Sequence, residues 1–302
     1  MPVDPTATFE KHYEALRIGC GVVELANWSS ISITGADRLS FVHSFCTNDI
    51  KRLKPGDSCE AFFTNVKGKI VGHGLVTCRD EELVFVGAPG QAQQLVEHLD
   101  RYIIREDVQL RDSTNDRGFV MSAAAVDIAV VSFSWNLIGN EAARIFEYAP
   151  LTMPFLLRLI SERGLQLVGP PGFNAARMEA GVPLFGLDFG AHNLPQEVGR
   201  DMQAISFSKG CYLGQETVAR IDALGHVNQR IVGVRFFGEN PLEPEMELSL
   251  ADSKVGHITS FAFSPRLRAP LALAMVRRDA NAVGTRLKSA AGKCEVIELP
   301  LI

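Results

Sequence analysis

A chain of 302 residues, 46% hydrophobic and 22% charged, has the composition of a globular protein with a large core and room for more than one domain. Its net charge of −5 argues against nucleic-acid binding through overall charge, and no apolar run approaches the length that spans a bilayer. The N-terminal stretch lacks the basic-then-apolar pattern of a secretory signal, so the expected location is the cytoplasm, with no membrane partner. The six cysteines, at 20, 46, 59, 78, 211 and 294, form no C-x-x-C pair and do not alternate with histidine at a zinc spacing. That argues against a structural metal site and, in a reducing compartment, leaves them as free thiols.

In chain order, residues 9–17 read as a short amphipathic helix ending near Gly19, and 22–25 as a strand. Trp28 precedes residues 31–34, which alternate apolar and polar as a half-buried strand does. Gly35 turns the chain into a helix that carries Leu39, Phe41, Val42 and Phe45 on its inner face. Residues 61–65 and 70–78 flank the turn 66–69 as a β-hairpin, and 83–86 is the next strand. Residues 91–104 place Leu95, Leu99, Tyr102 and Ile103 on one helical face, and another strand begins at 108–110. Strand-strand-strand-helix-strand predicts an α+β arrangement rather than a doubly wound one.

Residues 113–150 are less legible: 121–133 is apolar and β-like, and 140–146 reads as helical. Pro154 precedes a predicted helix at 155–163, ended by Gly164, and 165–168 returns as a strand. Residues 172–180 predict a helix containing Arg177, Met178 and Glu179, with Gly181 as its C-terminal cap. Lys209 and Gly210 lead into Cys211, followed by a predicted helix at 213–221 in which Glu216 and Arg220 are four apart, acid before base. A cysteine near a helix start and two residues from a lysine sits in a field that favours thiolate, which Glu216 partly opposes. The plainer reading is a tight turn holding a small buried thiol. After a polar connector at 225–230, short strands at 231–237, 246–250, 256–263, 271–276, 285–288 and 295–299 suggest a small β-barrel. Residues 253–293 carry eight lysines and arginines against Asp279, a surface for an anionic partner or simply a solvated one. No P-loop, G-x-G-x-x-G, H-E-x-x-H or G-x-S-x-G motif is present.

The string Lys-Gly-Cys-Tyr-Leu-Gly-Gln-Glu at 209–216 resembles the signature of the YgfZ branch of the folate-binding YgfZ/glycine-cleavage T-protein superfamily. Residues 21–25 with 31–37, Arg-Met-Glu-Ala-Gly-Val-Pro-Leu-Phe-Gly-Leu-Asp at 177–188, Leu-Pro-Gln-Glu at 194–197 and Gly-His-Ile-Thr-Ser-Phe-Ala-Phe-Ser-Pro at 256–265 resemble further motifs of that superfamily. The resemblance implies an α+β fold of two interleaved α/β subdomains around a central pocket, residues 1–225, closed by a small β-barrel at 226–302 in a three-domain ring. It implies tetrahydrofolate, or a one-carbon derivative, as cofactor. Glu179 would accept paired N–H donors from the pterin edge as a carboxylate does from arginine; the alternative for Glu179 is a salt bridge with Arg177 or another arginine. Trp28 occupies the place of a tryptophan associated with folate binding. Glu197 is a second candidate for the pocket, and Lys209, Arg220 or a barrel arginine would lie near the anionic glutamate tail.

The same resemblance implies an accessory protein for iron–sulfur cluster assembly or repair, with client or assembly proteins as partners and Cys211 as the reactive group. Cys211 would form a transient mixed disulfide or hold iron or sulfur briefly, because one thiolate cannot hold a stable cluster. In the glycine-cleavage T-protein, the hairpin after the asparagine matching Asn65 carries an acidic pair. Here the corresponding positions are Gly72 and His73, a departure that argues against aminomethyl transfer. His73 is either a proton-transfer group or a satisfied structural histidine. The alternatives are therefore a folate-dependent aminomethyl or methyl transferase, and an interaction scaffold with a decayed pocket.

Overall fold

The first strand, β1 (Gly21–Glu24), does not stay with the strands that follow it. In the computed structural model, which describes residues 5–123, 131–149, 158, 160–238 and 240–301, β1 pairs with strands from much later in the chain. Its sheet runs β10-β1-β7-β9-β8, where β7 is Gly118–Ser122, β8 Ser132–Phe133, β9 Arg144–Tyr148 and β10 Gln166–Leu167. The intervening strands β2 (Ser29–Thr34), β3 (Ser58–Thr64), β4 (Ile70–Cys78), β5 (Glu82–Gly87) and β6 (Gln109–Asp112) build a second sheet, ordered β3-β4-β5-β2-β6. The two α/β units therefore interleave, as expected.

Helix α1 (Pro5–Arg17) covers the first sheet, and α2 (Arg38–His43) and α3 (Ala92–Asp100) serve the second. Strand β4 is buried along its whole length, because both faces of its sheet are covered. Leu75 joins Val84, Val86, Trp28 and Trp135 in one core. Val71 and Val76 join Phe63, Phe85, Leu95 and Leu99 in another. Gly72 lies on that second side: a Cβ there would stand 3.0 Å from Leu95 Cδ2.

The C-terminal strands close into a barrel in the order β11-β14-β13-β12-β15-β16, which leaves no free sheet edge. They are β11 (Gln229–Phe236), β12 (Glu247–Leu250), β13 (Ser253–Ser264), β14 (Ala269–Arg277), β15 (Arg286–Ser289) and β16 (Gly292–Ile297). Leu248, Ile258, Ala274, Leu287 and Val296 fill it. A third core, with Phe62, Ile70, Met178, Tyr212, Val218, Leu271 and Met275, joins the β3–β4 hairpin and the central helices to the barrel wall. Those helices are α4 (Pro170–Glu179), α5 (Pro195–Val198), α6 (Asp201–Ala204) and α7 (Gln215–Leu224).

Three local expectations change. Residues 140–146 are not helical: Ile145 and Phe146 enter β9, opposite Met121 and Val120. The helix expected at 91–104 stops at Asp100. The helix expected at 213–221 starts at Gln215, because Gly214 takes φ +83°, a left-handed conformation outside the helix. Residues 155–157 and 159 of the helix read at 155–163, and residues 124–130 of the β-like stretch, lie outside the described residues. Among the described residues no helix is long and apolar enough to cross a membrane.

Candidate functional site

Helix α4 opens with Pro170 and Pro171, which suit a helix start, and ends on Glu179. Its position is fixed by Arg177, which is 1% exposed. The Arg177 guanidinium donates to Asp188 Oδ2 at 2.8 Å, Asn174 Oδ1 at 2.7 Å and the Ser260 hydroxyl at 3.1 Å. Asp188 in turn accepts from Thr259 and Ser260 of β13 at 2.9 and 2.5 Å. A bulge between Ile258 and Ser260 breaks the strand's alternation there, and both adjacent hydroxyls reach the same carboxylate. Arg177 is thereby committed to Asp188 rather than to Glu179.

Glu179 is itself buried, at 5% exposure. Its Oε2 accepts from the Tyr13 hydroxyl at 2.6 Å, and its Oε1 from the Ser264 hydroxyl at 2.5 Å and the Arg266 backbone N–H at 3.4 Å. The Arg266 guanidinium lies 3.6 Å from Oε2. Burial, and then the Glu179 carboxylate, push the Tyr13 phenol above its ordinary value, so Tyr13 stays a donor at neutral pH. Helix α1, the end of α4 and the end of β13 thus meet at one carboxylate.

Glu179 lines a cavity of about 1120 Å³, with Tyr13, Gln196, Asp201, Arg230 and Arg266 among the other walls. Arg200 also faces it, held from behind: its guanidinium donates to Glu60 Oε1 and Oε2 at 2.9 and 2.6 Å. Glu60 also bonds His73 Nε2 and Trp135 Nε1, each at 2.9 Å. Gln196 donates through Nε2 to the Val218 carbonyl at 2.7 Å, while its Oε1 has no partner among the described residues. Asp201 Oδ1 likewise has none. Burial pushes the Asp201 carboxyl up to about 6, with Arg230 opposing the rise and Asp222 adding to it.

Of the site residues named by number in the sequence, Glu179 alone is among the cavity walls; of the barrel arginines, one of which was expected near an anionic tail, Arg230 and Arg266 also line it. Trp28 is buried, its ring edge-on to Trp135 with centroids 5.6 Å apart, in the core behind the cavity. Glu197 Oε2 accepts from the Leu194 N–H and Asn193 Nδ2 at 3.1 and 2.9 Å, which caps α5. Lys209 is buried, and its ammonium donates to the carbonyls of His43, Cys46 and Asn48 at 2.6, 2.6 and 2.8 Å. Those three bonds use all its donors, so none is left for Cys211 or an anionic tail. Arg220 is exposed on α7.

Cys211 is exposed, contrary to the buried-thiol reading, and stands four residues beyond Phe207, a cavity wall. His73 is 3% exposed; it stacks on Phe62 at 4.5 Å and bonds Glu60, which satisfies the structural reading. Tyr13, Glu60, Arg200, Asp201 and Arg266 were not individually legible. Tyr13 sits at core spacing in α1, and the partners of Glu60 and Arg200 are far apart in sequence. The strand running into Ser264 and Pro265 and the basic stretch 253–293 gave the signals for the Arg266 corner.

The fold defines a three-unit α/β and barrel protein with a polar cavity between the units. Residues 4–122 match the GCVT N-terminal domain model, and residues 229–301 match the glycine cleavage T-protein C-terminal barrel domain model. An aminomethyltransferase of Mycolicibacterium paratuberculosis is 25% identical over 335 residues, covering 100% of this chain and 90% of that protein. A chloroplastic Arabidopsis thaliana protein, provisionally named a transferase, is 24% identical over 306 residues, covering 92% of this chain and 70% of that one. The crystal structure of the glycine cleavage system aminomethyltransferase T from Bartonella henselae shares the fold, with a TM-score of 0.85 and 18% identity over 97% of this chain and 89% of that one. The chain belongs to the glycine-cleavage T-protein superfamily.

Proposed function

We propose that this chain binds tetrahydrofolate, or a one-carbon derivative of it, in the cavity beside Glu179. We further propose that it acts as an accessory protein in iron–sulfur cluster assembly or repair, with Cys211 as its reactive group. The observation that carries the folate reading is the buried Glu179 carboxylate on a cavity wall, oriented by Tyr13, Ser264 and Arg266. Three of its four lone-pair sites are taken, which leaves one on Oε2 to accept an N–H of a pterin edge. The cavity is large enough for such a ligand. Arg17 and Arg266 line it near that carboxylate, which suits an anionic tail. Bound tetrahydrofolate would supply the ring nitrogens that carry a one-carbon unit; the chain's part is to bind, orient and shield it.

The accessory reading is supported by what β4 lacks. Gly72 faces Leu95, and His73 is committed to Glu60, so neither hairpin position offers a free carboxylate. Cys211 offers an exposed thiol, suited to capture by a partner protein. Trp28 would act from behind the wall, by holding Trp135 against Glu60. A second reading, aminomethyl transfer, is favoured by the named activity of the bacterial relative.

Complementation separates them. In cells lacking this protein, the Cys211→Ser variant should fail to restore the activity of an iron–sulfur enzyme, while the purified variant still binds tetrahydrofolate. Full restoration by Cys211→Ser, or aminomethyl transfer by the purified protein that survives this change, would favour the second reading.

A further inference from the structure

The walls of the cavity differ in chemistry. Around Glu179 the neighbours are donors: the Tyr13 and Ser264 hydroxyls, the Arg266 N–H and its guanidinium. The wall made by α5, α6 and α7 is the reverse. Gln196, 7% exposed, has its amide oriented by the bond from Nε2 to the Val218 carbonyl, which leaves Oε1 as an acceptor without a partner. Asp201 Oδ1, on the next short helix, is a second. No cavity wall carries an unpartnered buried side-chain donor among the described residues, so what is missing there is donors and not acceptors.

Charge points the same way. Asp201 and Asp222 both line this part of the cavity and face Arg230 from β11. Arg230 also lies along the backbone of Gly199, where a Cβ would stand 3.3 Å from its Nε. Arg200 is the other cation here, and Glu60 neutralises it through two hydrogen bonds. Two carboxyls against one unpaired guanidinium leave a deficit of positive charge, and a buried acceptor pair in such a field favours a ligand that brings charge and several N–H groups together.

We propose that Gln196, Asp201 and Asp222 form a second subsite of the cavity, sharing no residue with the Glu179 end, that takes a cationic nitrogen group bearing several N–H donors. The subsite goes beyond the folate reading and stands without it. Asp201 and Gln196 supply the buried acceptors, and exposed Asp222 supplies charge at the mouth.

The test is a titration of the intact protein with methylguanidinium, followed by carbon NMR of the aspartate carboxyls. The expected result is saturable binding at millimolar probe, with the Asp201 carboxyl titrating lower when the probe is present. Asp201→Asn and Gln196→Met should each weaken binding by about tenfold, and Asp222→Asn by about threefold. Asp222 is exposed, so its variant keeps the test open even if the buried changes disturb folding. Glu179→Gln should leave probe affinity within about twofold, which distinguishes this subsite from failure of the folate site. Absence of saturable binding, insensitivity to Asp222→Asn, or equal loss in Glu179→Gln would overturn the proposal.

Discussion

Arg200 and Glu60, 140 residues apart in the chain, meet as a bidentate pair in which the guanidinium donates to both carboxylate oxygens at 2.9 and 2.6 Å. The pair ties β3 to the turn between α5 and α6, and so fixes the wall on which Gln196 and Asp201 sit. Burial alone would raise the Glu60 carboxyl, but the hydrogen bonds from Arg200 and His73 hold it well below the usual carboxylate range.

Breaking that pair should cost more than the pair itself contributes, because one buried charge is left behind. Arg200→Met is expected to lower unfolding free energy by about 3–5 kcal/mol. The double variant with Glu60→Gln should lose less than the sum of the two single changes. Urea denaturation midpoints check both statements.

Two carboxyls, buried Glu60 and half-buried Asp201, give opposite pH dependences. Glu60 is depressed in the folded state, so its stabilisation is present above the ordinary carboxylate value, near 4, and is lost as pH falls below it. Asp201 is raised to about 6, so the folded state takes its proton first and stability declines as pH rises from about 4 to about 6. Asp201→Asn should remove that decline, a relative gain at pH 7 on the order of 1–2 kcal/mol after solvent screening. Denaturation of both proteins at pH 4.5 and pH 7.5 reads it out; an equal difference at the two pH values would refute it.

Gly214 belongs to the Lys209–Glu216 motif for a backbone reason. It sits at φ +83°, and an added Cβ would overlap the Asn65 carbonyl oxygen and lie 2.8 Å from Gly68 Cα. Gly214→Ala should therefore destabilise by about 2 kcal/mol or more, seen as a lower thermal midpoint.

The motif shows how much the sequence made legible. Strand periodicities were enough for the α+β class and the barrel, and the resemblance carried by the motif's contiguous residues implied the interleaved sheets. Glu179 was marked by the resemblance of its motif alone; by itself it read as a salt-bridge partner of an arginine. The roles of individual polar residues were less legible. Lys209 looked free to meet an anion, yet its ammonium is enclosed by three backbone carbonyls from a loop 161 to 166 residues earlier. Glu197 looked like a pocket residue but caps its own helix. Those outcomes depend on long-range packing that composition and spacing do not encode. The segment 140–146 misled because its polar start resembles a helix cap, while the pairing of Ile145 and Phe146 with β7 decides its state.

Cys211 is the one exposed cysteine of the six, with Cys46, Cys78 and Cys294 buried. A substoichiometric maleimide should label Cys211 first, as read by peptide mass mapping. Burial also pushes the Cys294 thiol up to about 12, so it should resist labelling until the protein unfolds. Comparable early labelling of Cys294 would contradict this ordering.

The central claim is that Glu179 marks a folate site, and calorimetric titration with tetrahydrofolate tests it most directly. The account predicts saturable binding to the wild-type protein, weakened by about tenfold or more in Glu179→Gln and within about twofold of wild type in Cys211→Ser. Absence of binding at high micromolar tetrahydrofolate, or a Glu179→Gln variant that binds as tightly as wild type, would contradict it.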